Sequence, residues 1–254
     1  MVKISELTAY LNDLLNFPEF AGDVSNNGLQ VEACSEVNKV LCGVDASLAL
    51  FEAAVAAKAD LVIVHHGISW GAEPRRFDGW VGRRLALLFQ NQISLYAAHL
   101  PLDAHPVIGH NAQLAKMIGL NECAMFCCYD GVQIGVRGIL SEPCSAAALC
   151  AIYEKNLACA GVVYGDGQRM VRRVGCISGG AGHAGLDAAI DSGLEVLITG
   201  EMTHELWHQA RENQVAVIAL GHYCSEKPGI LMLSELLNEK FNLVTEFADI
   251  PTGL

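Results

Sequence analysis

Residues Asp60–His66 read DLVIVHH. Leu61–Val64 is a continuous apolar run, too short for a buried helix, and a helical pattern, Leu48–Lys58, leads into it. That order predicts a parallel strand buried on both faces of an α/β sheet. In such sheets ligands gather beyond the carboxyl ends of the strands. His65 and His66 therefore stand where a site would be. Successive strand side chains point to opposite faces, so the two rings are not expected to grip one ion from an extended strand.

Upstream, Val37–Val44 (VNKVLCGV) reads as the preceding strand, and Asp45 and Ser47 as the start of the helix. Downstream, GISWGAEPRRFDG (Gly67–Gly79) is a loop, Val81–Asn91 a helix, and Ile93–Ala98 a strand that runs into His99. LPLDAHP follows with Asp103 and His105, and His110–Gly119 is helical. At the start of the chain, Ile4, Leu7, Leu11, Leu14 and Leu15 keep helical spacing. SNNGLQVE (Ser25–Glu32) is a polar turn entering a short strand. Asn26, Asn27 and Gln30 either make that turn or line the site.

Beyond Asn121 the pattern changes. Phe126–Leu140 and Val162–Ile177 are rich in glycine and β-formers around a helix near 145–156, which suggests a smaller α+β lobe. SGGAG (Ser178–Gly182) then opens a helix, followed by the strand Leu194–Gly200, a helix near 203–213, the strand Val215–Gly221 and His222. Helix 228–239 and the strand Leu243–Phe247 finish the chain. The second half resembles the first, either as a duplication or as two βαβ segments that look alike, and each ends in His-x-x-x-carboxylate: His99 with Asp103, and His222 with Glu226. The expected fold is α/β, with two related βαβ-containing halves on a sheet-based core and a smaller α+β lobe. Residues 1–122, 123–177 and 178–254 mark these parts of one domain.

Strand ends thus collect His65, His66, His99, Asp103, His222 and Glu226. Imidazole with carboxylate suits Zn, Fe, Mn, Co or Ni. Thiolates at no regular spacing make a structural zinc knot a poor fit. The residues suit two ions held about 3.5–4 Å apart, the spacing of hydrolytic two-metal sites. Glu201 ends a strand and is a candidate second partner or general base. SGGAG could bind an anion at backbone N–H groups or serve tight strand–helix packing, and Arg75, Arg76, Arg83 and Arg84 read first as a solvated face and second as a phosphate contact beside the histidines. His204 and His208 read as a helix face, and Cys224 as packed rather than ligating.

The net charge of −12 argues against a general duplex-binding protein. With 52% hydrophobic and 17% charged residues, a large core is expected. No apolar run reaches the roughly 18 residues of a membrane span. MVKISELTAYLNDLL has the pattern of an amphipathic helix rather than a signal peptide, and the ten cysteines include no C-x-x-C pair. Reduced thiols in a cytoplasmic protein are expected.

VIVHHGISW, HLPLDAHPVIGHNAQLA, SGGAG, LITGE and GHYCSE together resemble the motifs of the Nif-three-like (NGG-one-interacting-factor-three-like) family. Its members are often called GTP cyclohydrolase 1 type 2 homologs. The resemblance covers nearly the whole chain. It implies a Nif-three-like α/β protomer, a toroidal homohexamer, and two divalent transition-metal ions per subunit. The implied ligands are His65, His66, Asp103, His222 and Glu226, with Glu226 bridging and His99 beside the metals. Around Glu226 the chain reads CSEKPG, where the family more usually has small residues, then Glu-Arg and glycines. The expected function is a metal-dependent hydrolase of a small anionic, nucleotide-like or heterocyclic substrate, with Glu201 and His99 moving protons. The alternative is a non-catalytic ring that binds metal or single-stranded nucleic acid. That alternative needs an electropositive lumen and stacking aromatics, which 7% aromatic residues and the negative charge do not favour.

Overall fold

Leu61–His66 is a strand, and Leu61, Val62, Ile63 and Val64 are each 1% exposed or less. A computed structural model describes the whole chain, Met1–Leu254. Two compact units divide it: Met1–Leu102 with Ile230–Ile250, and Asp103–Gly229 with Pro251–Leu254.

In the first unit five strands form one sheet. Their order is Val244–Phe247, Lys39–Asp45, Leu61–His66, Ser94–Ala97 and Gly28–Val31. The first four run parallel and the last is an antiparallel edge. Val62 sits in register between Leu41 and Leu95. Helices Leu48–Ala57 and Gly79–Gln90 belong to this unit, and Leu50, Phe51, Ala54 and Leu88 pack with the strand residues into one core. Each fully buried leucine or phenylalanine side chain contributes about 1.5–3 kcal/mol.

Ser47, rather than Asp45, caps the helix after the second strand: its Oγ accepts from the Leu50 N–H at 3.1 Å. Asp45 remains the last residue of its strand, paired in register with His66.

The second unit holds a six-stranded sheet in the order Leu120–Tyr129, Val132–Ser145, Met170–Cys176, Val196–Thr199, Ala216–Ala219 and Val162–Tyr164. The three strands beginning at Met170, Val196 and Ala216 are parallel, and antiparallel strands flank them. The strands of 123–177 and those of the second βαβ segment therefore share one sheet. The long outer hairpin turns at Asp130 and Gly131, both at positive φ (46° and 88°), the backbone that Asp-Gly supplies in a two-residue hairpin. Val174, Val196, Ile198 and Ile218 form its core with Leu149, Tyr153 and Leu157 of helix Ala146–Leu157. No helix is long and apolar enough to cross a membrane.

Candidate metal centre

In the first unit, three histidines meet at the ends of neighbouring parallel strands. The rings of His65 and His66 have centroids 4.6 Å apart, His65 and His99 5.0 Å, and His66 and His99 5.6 Å. Each offers a ring nitrogen within 4.8 Å of the others. Strand alternation does not part the adjacent pair, because different tethers turn the rings. His65 Nδ1 donates to the Ala98 carbonyl at 2.8 Å. His66 Nδ1 lies 2.8 Å from Asp45 Oδ1, and His99 Nδ1 lies 2.8 Å from Asp23 Oδ1. An acceptor at Nδ1 leaves Nε2 as the donor atom for a cation, the usual arrangement around ligating histidines.

Asp23 is fully screened from solvent and accepts more than the His99 bond. Its carboxylate takes the N–H groups of Ser25 at 2.9 Å and Leu100 at 3.1 Å, and Asn27 Nδ2 at 2.8 Å. Burial pushes its pKa up, but the hydrogen bond and charge of His99, with the Asn27 and Ser25 donors, outweigh burial and hold it below the ordinary value. Asn27 Oδ1 accepts from the His99 N–H at 2.7 Å. Gln30 Oε1 accepts from the Ile68 and Ser69 N–H groups at 2.8 and 3.1 Å, and Asn26 Nδ2 reaches Ser69 Oγ at 2.7 Å. The polar residues of SNNGLQVE thus clamp the loop after the double histidine. Trp70 in that loop stands 5.9 Å from the His66 ring and 5.1 Å from the His99 ring.

In the second unit, the strand Ala216–Ala219 leads through Gly221 into the short helix His222–Ser225. That turn sets His222 and Glu226 four residues apart, with His222 Nε2 3.1 Å from Glu226 Oε1. His222 Nδ1 lies 2.6 Å from Glu201 Oε1. The hydrogen bond to Glu226 is the main reason that the His222 pKa is raised to about 9; burial opposes it, and Glu201 adds to it. Gly179 is built around this pair: a Cβ there would overlap Glu226 Oε1 and crowd His222 Nε2.

Asp103 is buried and accepts from Ser178 Oγ at 2.7 Å. His110, also buried, offers a ring nitrogen within 4.8 Å of an Asp103 oxygen. The Gly229 N–H donates to His110 Nδ1 at 3.1 Å, which puts the ring hydrogen on Nε2 in the neutral form. In that tautomer Nε2 carries hydrogen rather than a free lone pair.

Three of the five N–H groups of the SGGAG loop are taken within the fold. Ser178 N–H donates to Asn111 Oδ1 at 2.6 Å, Gly179 N–H to Ser225 Oγ at 2.8 Å, and Ala181 N–H to Thr199 Oγ1 at 3.3 Å. Its glycines serve close packing against the His222 turn. His105 Nδ1 accepts from the N–H groups of Val107 and Ile108, and His208 packs edge-on to Trp207. Burial first, and then the neighbouring Cys224 thiol, push the Cys159 thiol up to about 12. Asp23 escaped the sequence reading, and Asp45 and Ser178 were read only as a helix start and a loop residue, since what marks them is the atom they reach across the fold.

The donor set suits a borderline divalent metal: imidazole Nε2 atoms with their Nδ1 sides tethered, and carboxylates beside them. Fold and side chains define an α/β protein whose strand-end histidines and carboxylates could hold metal ions. A model of the family Duf34/NIF3 (NGG1p interacting factor 3) matches residues 2–252, and the chain belongs to that family. It is 44% identical over 253 residues to the "GTP cyclohydrolase 1 type 2 homolog" of Archaeoglobus fulgidus, covering 100% of both chains. The protein of the same name from Escherichia coli is 39% identical, with 98% of this chain and 99% of that one covered. Among solved structures, the structural-genomics protein ybgI, of unknown function, superposes with a TM-score of 0.91 at 39% identity over the full length of both chains.

Proposed function

We propose that this protein is a metal-dependent hydrolase of a small nucleotide-like or heterocyclic substrate, with His65, His66, Asp103, His222 and Glu226 as ligands to two divalent transition-metal ions. One observation supports the reading above the rest. His65, His66 and His222 each direct Nδ1 at a fixed oxygen acceptor, on Ala98, Asp45 and Glu201, so that each Nε2 is the atom left to ligate. Such a pair of ions, when bound, supplies Lewis-acid polarisation and lowers the pKa of water. The remaining chemistry belongs to the chain. Glu201 holds the proton at His222 Nδ1 and keeps that ring in one tautomer. His99, fixed by Asp23, takes up or releases a proton at Nε2. Asp45 does for His66 what Glu201 does for His222, and Trp70 limits water at the His66 and His99 rings. The relatives' name suggests a purine nucleotide as one substrate, and the family resemblance a homohexamer as the working form.

Turnover of nucleotides, phosphoesters and cyclic amides by the metal-loaded protein, compared with a His66→Ala variant, tests this. Turnover that follows metal content is expected. Equal turnover in chelator-stripped protein would move the chemistry elsewhere.

A further inference from the structure

Arg75, Arg76, Arg83 and Arg84 are four of the sixteen lysines and arginines of a chain with net charge −12. They fall within ten consecutive positions, in the loop before helix Gly79–Gln90 and in its first two turns. Trp80, Arg83 and Arg84 are spaced i, i+3 and i+4 and share one helix face. Trp80 is 56% exposed, which leaves its ring open to a ligand. The Arg84 guanidinium lies over that ring, 4.6 Å from its centroid.

Arg84 is half-buried, yet no carboxylate or carbonyl of the chain stands within hydrogen-bonding distance of it. Burial works against its charge and the field of Asp45 works for it. Asp45 is itself engaged by His66 Nδ1 at 2.8 Å. A guanidinium has five donors in a planar fork that matches phosphate or carboxylate. Arg84 keeps these donors unspent while losing part of its water, and it does so one carboxylate away from His66. Arg75, Arg76 and Arg83 are exposed and likewise have no carboxylate partner. A single acid group would occupy one such fork. Four cations beside an exposed indole fit an anion of several charges joined to an aromatic ring.

We propose that Trp80, Arg83 and Arg84, with Arg75 and Arg76 in the adjoining loop, form a subsite for the polyphosphate and aromatic ring of a nucleoside polyphosphate that reacts at the neighbouring histidines. The arginines take the phosphates and Trp80 stacks the ring or its sugar edge. This rests on the function proposed above and names its substrate class and the residues that select it.

The probes are inorganic pyrophosphate and GTP, titrated into the full-length protein by calorimetry and tryptophan fluorescence. Metal content is measured on each sample. Removing charge-assisted hydrogen bonds in Arg83→Ala/Arg84→Ala should weaken both probes about tenfold or more. Metal per chain should be unchanged. Trp80→Phe should lose the fluorescence quench by GTP and weaken GTP, but leave pyrophosphate within about threefold. Arg75→Ala/Arg76→Ala alters only exposed loop residues and should weaken pyrophosphate without shifting the melting temperature, which keeps the test informative if the helix variant folds poorly. Unchanged affinity for both probes in both double variants would overturn the subsite while leaving the metal reading intact. Arginine-dependent binding in a protein that takes up no metal would keep the subsite and overturn the hydrolase reading. Single-stranded oligonucleotides that bind more tightly than GTP, with affinity rising with length, would overturn the small-ligand assignment in favour of a strand-binding face.

Discussion

His222 Nε2 lies 3.1 Å from Glu226 Oε1 while its Nδ1 lies 2.6 Å from Glu201 Oε1. Glu226 first, then Glu201, raise the ring's pKa from 6.5 to about 9 against the effect of burial. In the metal-free protein both ring nitrogens therefore carry protons at neutral pH. A metal must displace the one on Nε2. Uptake at pH 7 should release a proton from this ring, and apparent affinity should rise about tenfold per pH unit until the pKa is passed. Because the folded value is raised, the charged ring stabilises the metal-free fold fully below pH 6.5, and that stability is lost as pH rises through about 9. Calorimetry in buffers of different ionisation enthalpy measures the proton. Metal uptake with no proton release would contradict the assignment of His222.

Gly179 and Gly119 form a matched pair. Their φ angles are +61° and +64°, but a Cβ at Gly119 meets nothing within 4 Å, whereas one at Gly179 runs into Glu226. Left-handed backbone costs an alanine about 1–2 kcal/mol at either position. Gly179→Ala should lose that and more, and should lose metal. Gly119→Ala should keep full metal content with a modest fall in melting temperature. Identical melting shifts and identical metal content in the two variants would remove Gly179 from the site.

Asp23 is a buried carboxylate that takes four donors, from Ser25, Asn27, His99 and Leu100. Asp23→Ala strands those donors and should destabilise the fold by about 2–4 kcal/mol, read as a drop in the urea midpoint. Its depressed pKa has the opposite sign to that of His222. The stability it gives is present above its ordinary value of 3.8 and is lost as pH falls through the lower folded value. Wild type should therefore lose more stability on acidification below pH 4 than Asp23→Ala does; parallel acid limbs would show that the carboxylate is not the cause.

Much of this was readable in the chain because apolar period and strand length are local. Leu61–His65 is buried as its pattern implies, and the helix expected over 48–58 runs from Leu48 to Ala57. The strand-end positions of His65, His66, His99 and His222 follow from the same signal. What holds those rings is not local. Asp45 reaches His66 across 21 positions and Asp23 reaches His99 across 76, and nothing in a run of Asp, Ser and Asn separates such a carboxylate from a turn former. SGGAG shows the converse. Its composition fits an anion cradle, but Asn111, Ser225 and Thr199 take three of its five N–H groups. The expected strand alternation of His65 and His66 gave way to the pull of Ala98 and Asp45 on the two rings.

A ring of six copies is expected from the family resemblance, and exposed apolar side chains such as Phe77, Val107, Val162 and Met170 leave surface for subunits to cover. Light scattering coupled to size exclusion at micromolar concentration should return six times the 27.2 kDa chain mass. A monomer mass would reject the hexamer.

Elemental analysis of the purified protein after metal-supplemented expression reaches the central claim most directly. Two divalent transition-metal ions per chain are expected, falling toward one or none in His66→Ala and in Glu226→Gln, with Cys224→Ser keeping both. A fully folded wild-type protein that binds no metal under any supplementation would contradict the account.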